Sequence, residues 1–99
     1  MLAPEVIDLE VASVWRGLVT SSQITEQRAA EALADLSGLP MVRAPHTRLM
    51  GRIWELRHNV TPYDAAYVAL AELMDVPLVT ADRELTRASG PRCEFELLA

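Results

Sequence analysis

Residues 61–85 read TPYDAAYVALAELMDVPLVTADREL. Thr61 stands where a helix N-cap belongs, Pro62 occupies the first helical position and Asp64 places an acid in the first turn. The spacing predicts a helix continuing from Ala65 to Met74. Pro77-Leu78-Val79-Thr80 then reads as a compact apolar strand, and Asp82 follows its end. Glu84 to Ala88 reads as a short helix, broken by Gly90-Pro91.

Working outward, Cys93, Phe95 and Leu97 alternate with Glu94 and Glu96, the period of a half-exposed strand. Upstream, His46 to Arg57 reads as a helix with Leu49, Met50, Ile53, Trp54 and Leu56 on its buried side. Met41-Val42-Arg43 is a short apolar run beside Pro40, read as a strand. A first helix is expected from Pro4, with Val6, Ile7, Leu9, Val11, Val14, Trp15, Leu18 and Val19 at helical spacing. After the break at Thr20-Ser21-Ser22, Ser22 or Thr25 caps a second helix, which Gly38 and Pro40 end. Strands alternating with helices predict a parallel α/β sheet.

The chain has 99 residues and 51% of them are hydrophobic, enough for one small domain. We therefore read 1–99 as a single domain. No apolar run approaches the length of a membrane span, and Pro4, Glu5, Asp8 and Glu10 exclude a signal peptide at the start, so a cytoplasmic protein is expected. Cys93 is the only cysteine, which excludes an internal disulfide or a multi-cysteine zinc site. The net charge of −5 is a poor footprint for a non-specific nucleic-acid binder. It leaves room for an enzyme that meets a few phosphates through local arginines. His46 and His58 stand isolated, without a second His or Cys at ligand spacing. Trp15, Trp54, Tyr63 and Tyr67 sit at spacings that suit packing.

Three acids stand out. Glu10 lies among Val6, Ile7 and Val14 at helical spacing; it either reaches water at the edge of that stripe or needs a partner. Asp64 serves as a first-turn acid, yet shares its face with Tyr67, Val68 and Ala71. Asp82 is either a cap for Arg83-Glu84-Leu85 or a ligand-binding acid, because open parallel sheets bind ligands beyond the carboxyl ends of their strands. Taken together, three carboxylates at one end of such a sheet would repel one another, so a cation is their natural partner. Oxygen ligands without a Cys or His cluster suit Mg²⁺ or Mn²⁺, which serve phosphodiester hydrolysis. Arg83 and Arg87 flank the Asp82 side, able to meet phosphates or pair with Glu84.

The segment 61–71, continued by 76–85, resembles the C-terminal half of PIN-domain ribonucleases, in particular the VapC-type toxins of bacterial toxin–antitoxin pairs. The family's helix-start Asp matches Asp64, and its Thr-x-Asp matches Thr80 and Asp82. Ala3 to Val11 resembles the family's Pro-x-x-x-x-x-Glu-Val helix, which places Glu10 at the family's catalytic Glu. The resemblance covers essentially the whole chain. It implies a three-layer α/β/α fold with a short parallel sheet, and Glu10, Asp64 and Asp82 as catalytic and metal-binding acids. It further implies Mg²⁺ or Mn²⁺ as cofactor, RNA as substrate and a VapB-type antitoxin as partner.

This sequence departs from the family at its start. Met1-Leu2-Ala3-Pro4 matches the tail of the family's second strand, and the central first strand with its Asp is missing. Two half-sheets with open edges are then expected, together with a homodimer burying the first helix and the Trp54 helix. The alternative to an active enzyme is a catalytically degenerate PIN fragment that binds an antitoxin or dimerises.

Overall fold

The computed structural model describes residues 1–98. The chain divides into two compact units, Met1–Arg43 and the part from Ala44 onward.

In the first unit, β1 (Leu2–Pro4) leads into α1 (Ile7–Thr20), α2 (Glu26–Gly38) and β2 (Val42–Ala44), whose last residue opens the second unit. β1 and β2 form a two-stranded sheet, and the Val42 N–H donates to the Met1 carbonyl at 2.8 Å. Pro4 belongs to β1 and is fully buried, so it does not open the helix as expected. A proline tolerates a strand end because it leaves only one donor unmade. The cap of α2 is Thr25, whose hydroxyl accepts the Arg28 N–H at 3.1 Å. Arg43 holds the unit together over long sequence distances. Its Nε donates to Asp8 Oδ2 at 2.6 Å, and its Nη2 donates to the Leu36 carbonyl at 3.3 Å. The stripe on α1 is less covered than its periodicity predicts: no α1 residue is fully buried, and Leu9 and Val14 are exposed.

The second unit runs through a 3₁₀ turn (Thr47–Leu49), α3 (Met50–Glu55), α4 (Pro62–Met74), β3 (Leu78–Thr80), α5 (Arg83–Arg87) and β4 (Phe95–Leu97). The expected single helix over 46–57 is therefore a 3₁₀ turn followed by a short α-helix. Its buried stripe is Leu49, Ile53, Leu56 and Val60, whereas Met50 and Trp54 are exposed, Trp54 at 64%. Val68 and Ala65 of α4 are wholly buried, and small alanines at 66, 69 and 71 let neighbouring elements approach closely. Leu85 closes the same core, with Leu78, Cys93 and Phe95 packed against it.

β3 and β4 are parallel, with Leu78 opposite Phe95, Val79 opposite Glu96 and Thr80 opposite Leu97. The Leu78 N–H donates to the Glu94 carbonyl and the Leu98 N–H to the Thr80 carbonyl, each at 2.8 Å. Among the described residues the strands thus form two separate pairs, the two half-sheets anticipated from the sequence.

Candidate active site

Asp64 and Asp82 are both positioned by local capping. Thr61 has extended backbone, and its hydroxyl accepts the Asp64 N–H at 3.3 Å, which fixes the first turn of α4. Pro62 contributes a preset φ at a position where no N–H is needed. Asp64 itself is half-buried. At the far end of α4 the chain reverses through Asp75, which adopts a left-handed backbone with φ 52°.

That reversal sends β3 back along α4. A 13-residue helix is about 20 Å long. The extended run Val76–Asp82 covers about the same length. The run is thus long enough for Asp82 to reach the end of the unit at which α4 begins. There the Thr80 hydroxyl accepts the Asp82 N–H at 3.1 Å. Asp82 Oδ1 in turn accepts the N–H groups of Glu84 (2.9 Å) and Leu85 (3.2 Å), capping α5. The Thr-x-Asp spacing thus has a mechanical reason: the threonine seats the aspartate, and the aspartate starts the next helix. Oδ2 lies outside the cap. Asp82 is thus the helix cap that one of its two readings expected, on an exposed residue. Arg83 and Arg87 are exposed on α5 beside it.

Glu10 belongs to the first unit. It lies in the first turn of α1, half-buried, with its N–H donating to the Val6 carbonyl at 3.0 Å. Among the described residues no group of three or more His, Cys, Asp or Glu side chains is gathered so as to hold a metal ion. The donor chemistry nevertheless suits a hard cation, since Asp64 and Asp82 offer carboxylate oxygens. Mg²⁺ characteristically takes one or two carboxylates and keeps several waters.

A profile of the PIN domain matches residues 1–91. The chain is 48% identical over 97 residues to ribonuclease VapC1 of Mycobacterium tuberculosis (strain H37Rv), covering 97% of this chain and 73% of that protein. It is 39% identical over 95 residues to VapC ribonuclease Mb0985 of Mycobacterium bovis, covering 96% and 75%. It is 36% identical over 97 residues to ribonuclease VapC12 of M. tuberculosis, covering 98% and 75%. The chain belongs to the PIN-domain family, among its VapC-type members. No solved structure gave a significant match.

The fold class of this PIN domain is accordingly the three-layer α/β/α one that the family resemblance implied. No helix among the described residues is long and apolar enough to cross a membrane.

A cleft of about 490 Å³ lies elsewhere in the second unit, lined by Glu72, Asp75, Val76, Pro77, Arg92, Cys93 and Glu94. These residues mark the C-terminal end of α4 and the start of β3, away from Asp82. Burial, reinforced by the charge of Glu72, pushes the Cys93 thiol above its ordinary range, so it is no activated nucleophile. Two features escaped the sequence reading. One is Arg52, whose guanidinium grips Glu72 and the Gly90 carbonyl. The other is the exposed Trp54 with the Arg57 guanidinium 4.6 Å from its ring centroid. The Trp54–Arg57 spacing of three residues was the available signal.

Proposed function

We propose that this PIN domain, acting as a single domain, is a Mg²⁺- or Mn²⁺-dependent endoribonuclease toxin of the VapC type that hydrolyses RNA phosphodiester bonds. What carries this reading is the 48% identity to a named ribonuclease, supported by two acids, Asp64 and Asp82, that stand at locally capped helix starts of the second unit. Asp64 and Asp82 would hold the cation. Glu10 is assigned the same role from its Pro4…Glu10-Val11 sequence context alone. When bound, the ion supplies charge neutralisation at the phosphoryl oxygens and lowers the pKa of an attacking water. The chain's own contribution is positioning. The Thr80 and Asp82 capping bonds fix one carboxylate, and the Thr61 cap fixes the helix turn that bears the other. Arg83 and Arg87 are placed to meet the substrate's flanking phosphates.

A cytoplasmic setting and a VapB-type antitoxin partner belong to the same proposal. The net charge of −5 suits an arginine-bearing antitoxin segment. The exposed Leu9 and Val14 of α1 and the exposed Trp54 of α3 suit a homodimer contact that buries both helices. A second reading, a degenerate PIN fragment that binds an antitoxin without cutting RNA, is favoured by one observation: no three-acid group is assembled among the described residues.

RNA cleavage with Mn²⁺ or Mg²⁺ separates the two. Cleavage that is lost in EDTA, in Asp64→Asn and in Asp82→Asn is the expected result. Cleavage that persists in both variants or in EDTA removes the assignment. A folded wild type that binds the antitoxin but never cuts establishes the degenerate reading.

A further inference from the structure

Among the described residues, β3 is paired along one edge only. Its partner β4 accepts the Leu78 N–H on the Glu94 carbonyl and gives the Leu98 N–H to the Thr80 carbonyl, each at 2.8 Å. The bonding positions on β3 are therefore Leu78 and Thr80. In an extended strand successive residues turn their N–H and C=O groups to opposite edges, so Val79 directs both of its groups away from β4.

The side chains along that edge suit a third strand. Leu78 and Phe95 pack against the core, so Val79 and Glu96, opposite one another in register, lie on the far face of the sheet. Val79 is 52% exposed there. Pro77, just before β3, brings a carbonyl and no N–H. The edge thus offers a short ladder, the Val79 N–H and C=O with the Pro77 carbonyl next in line, and that pattern fixes the register of whatever pairs with it. Sheet edges are normally protected by charge. β4 has such protection, because the exposed Glu94 and Glu96 flank Phe95 on it. Leu78, Val79 and Thr80 of β3 carry none.

Charge decides what the edge accepts. Positions 77–82 and 93–98, which hold both strands and their ends, carry Asp82, Glu94 and Glu96 and no arginine or lysine. A second copy would bring the same three acids to one seam, where like charges repel. A nucleic-acid strand has the wrong sign. An extended peptide that alternates arginine with aliphatic residues meets every requirement. Its backbone continues the ladder, its aliphatic side chains cover Val79 and its guanidinium groups meet the carboxylates.

We propose that the free edge of β3, centred on Val79, is a docking site for an extended, arginine-bearing segment of a partner protein, which adds to the β3–β4 sheet as a third strand. This docking goes beyond the ribonuclease reading and is independent of RNA cleavage.

Fluorescence anisotropy of a labelled octapeptide alternating arginine and valine, titrated with the full chain in EDTA and without RNA, tests it. The same peptide with glutamate in place of arginine is expected to bind at least about tenfold more weakly. Only alternate N–H groups of a docked strand face β3. Of two further peptides, one N-methylated at every valine and one at every arginine, one is therefore expected to lose binding and the other to keep most of it. Val79→Pro removes the outward N–H and spares the Leu78 and Thr80 bonds to β4, and is expected to weaken binding roughly tenfold in a protein that still melts cooperatively. Glu96→Gln leaves the backbone untouched and should weaken binding about threefold, with a flatter salt dependence. Absence of peptide binding overturns the proposal. So does binding that survives Val79→Pro in the folded protein, or that ignores N-methylation at both sets of positions, because the peptide then sits elsewhere. If Val79→Pro does not fold, the N-methylated pair decides. Wild-type self-association in light scattering that Val79→Pro abolishes also overturns it, since a second copy then occupies the edge. Cleavage by the wild type reports on the ribonuclease reading alone: edge-dependent peptide binding without cleavage keeps the docking site and removes that reading, and cleavage without peptide binding does the reverse.

Discussion

Arg52 and Glu72, twenty residues apart in sequence, form a two-pronged ion pair: Nε meets Oε1 at 2.7 Å and Nη2 meets Oε2 at 3.1 Å. The same guanidinium donates to the Gly90 carbonyl at 2.8 Å and to Glu55 Oε2 at 3.1 Å, while Glu72 Oε2 accepts the Arg92 N–H at 2.7 Å. One half-buried arginine therefore ties α3, α4 and the loop before β4 together. Breaking a charge-assisted hydrogen bond costs about 1.5–3 kcal/mol when the partner remains desolvated. Arg52→Ala is expected to destabilise the protein by about 2–3 kcal/mol on that scale, read as a lowered midpoint in thermal or urea unfolding. Arg52→Lys should recover only part of the loss, because an ammonium cannot make the fork.

The pair also sets an acid limb of stability. The Arg52 guanidinium holds the Glu72 carboxyl below its ordinary value of 4.5, assisted by the Arg92 N–H and opposed by desolvation. A carboxylate lowered on folding stabilises the native state above its unfolded pKa, and that contribution fades as pH falls through the folded value. Wild type should therefore exceed Glu72→Gln in stability at pH 7, with the gap narrowing below about pH 4.5. Chemical denaturation of both proteins across pH 3–7 checks the convergence.

Gly90 is the hinge of that loop, at φ +113°, and an added Cβ would meet Leu56 Cδ2 at 3.0 Å. Both the backbone region and the contact oppose any L side chain. Gly90→Ala is expected to cost about 1–3 kcal/mol, measurable in the same unfolding experiment.

Asp82 carries two duties that substitution can separate. Asparagine caps helices about as well as aspartate, whereas alanine loses about 1 kcal/mol. Asp82→Asn should therefore melt close to wild type and Asp82→Ala lower. Both should lose metal-dependent RNA cleavage under the proposed function. If Asp82→Asn cleaved RNA normally, the residue would be a cap and nothing more.

Divalent cation should raise the melting temperature of the wild type in a concentration-dependent way, because a ligand that binds only the native state stabilises it by mass action. Mn²⁺ titration followed by thermal shift tests this without reference to catalysis. The shift should disappear in Asp64→Asn and return to the starting value on adding EDTA.

Thr61, Pro62, Asp64, Thr80 and Asp82 were legible in the sequence because caps and turns are short-range. Apart from Pro62, which presets φ, each acts through a bond between residues two or three apart, written in residue type and spacing. The same locality made the α4–β3–α5 order and the PIN resemblance readable, and the alternation of Phe95 and Leu97 with Glu94 and Glu96 predicted β4. Periodicity, by contrast, reports which residues share a face and not whether anything covers it. The Trp54 stripe reads as the buried side of its helix and the Val14 stripe as a face for a second chain to cover, and the tertiary structure leaves both residues exposed. Pro4 and the 3₁₀ turn at Thr47–Leu49 show the same limit at element ends, where strand pairing and core packing override a local helix signal. The partners of Arg52 and Arg43 lie 20 and 35 residues away, beyond any local pattern. Which carboxylate an arginine grips depends on where packing brings the chain back, and only the tertiary structure decides that.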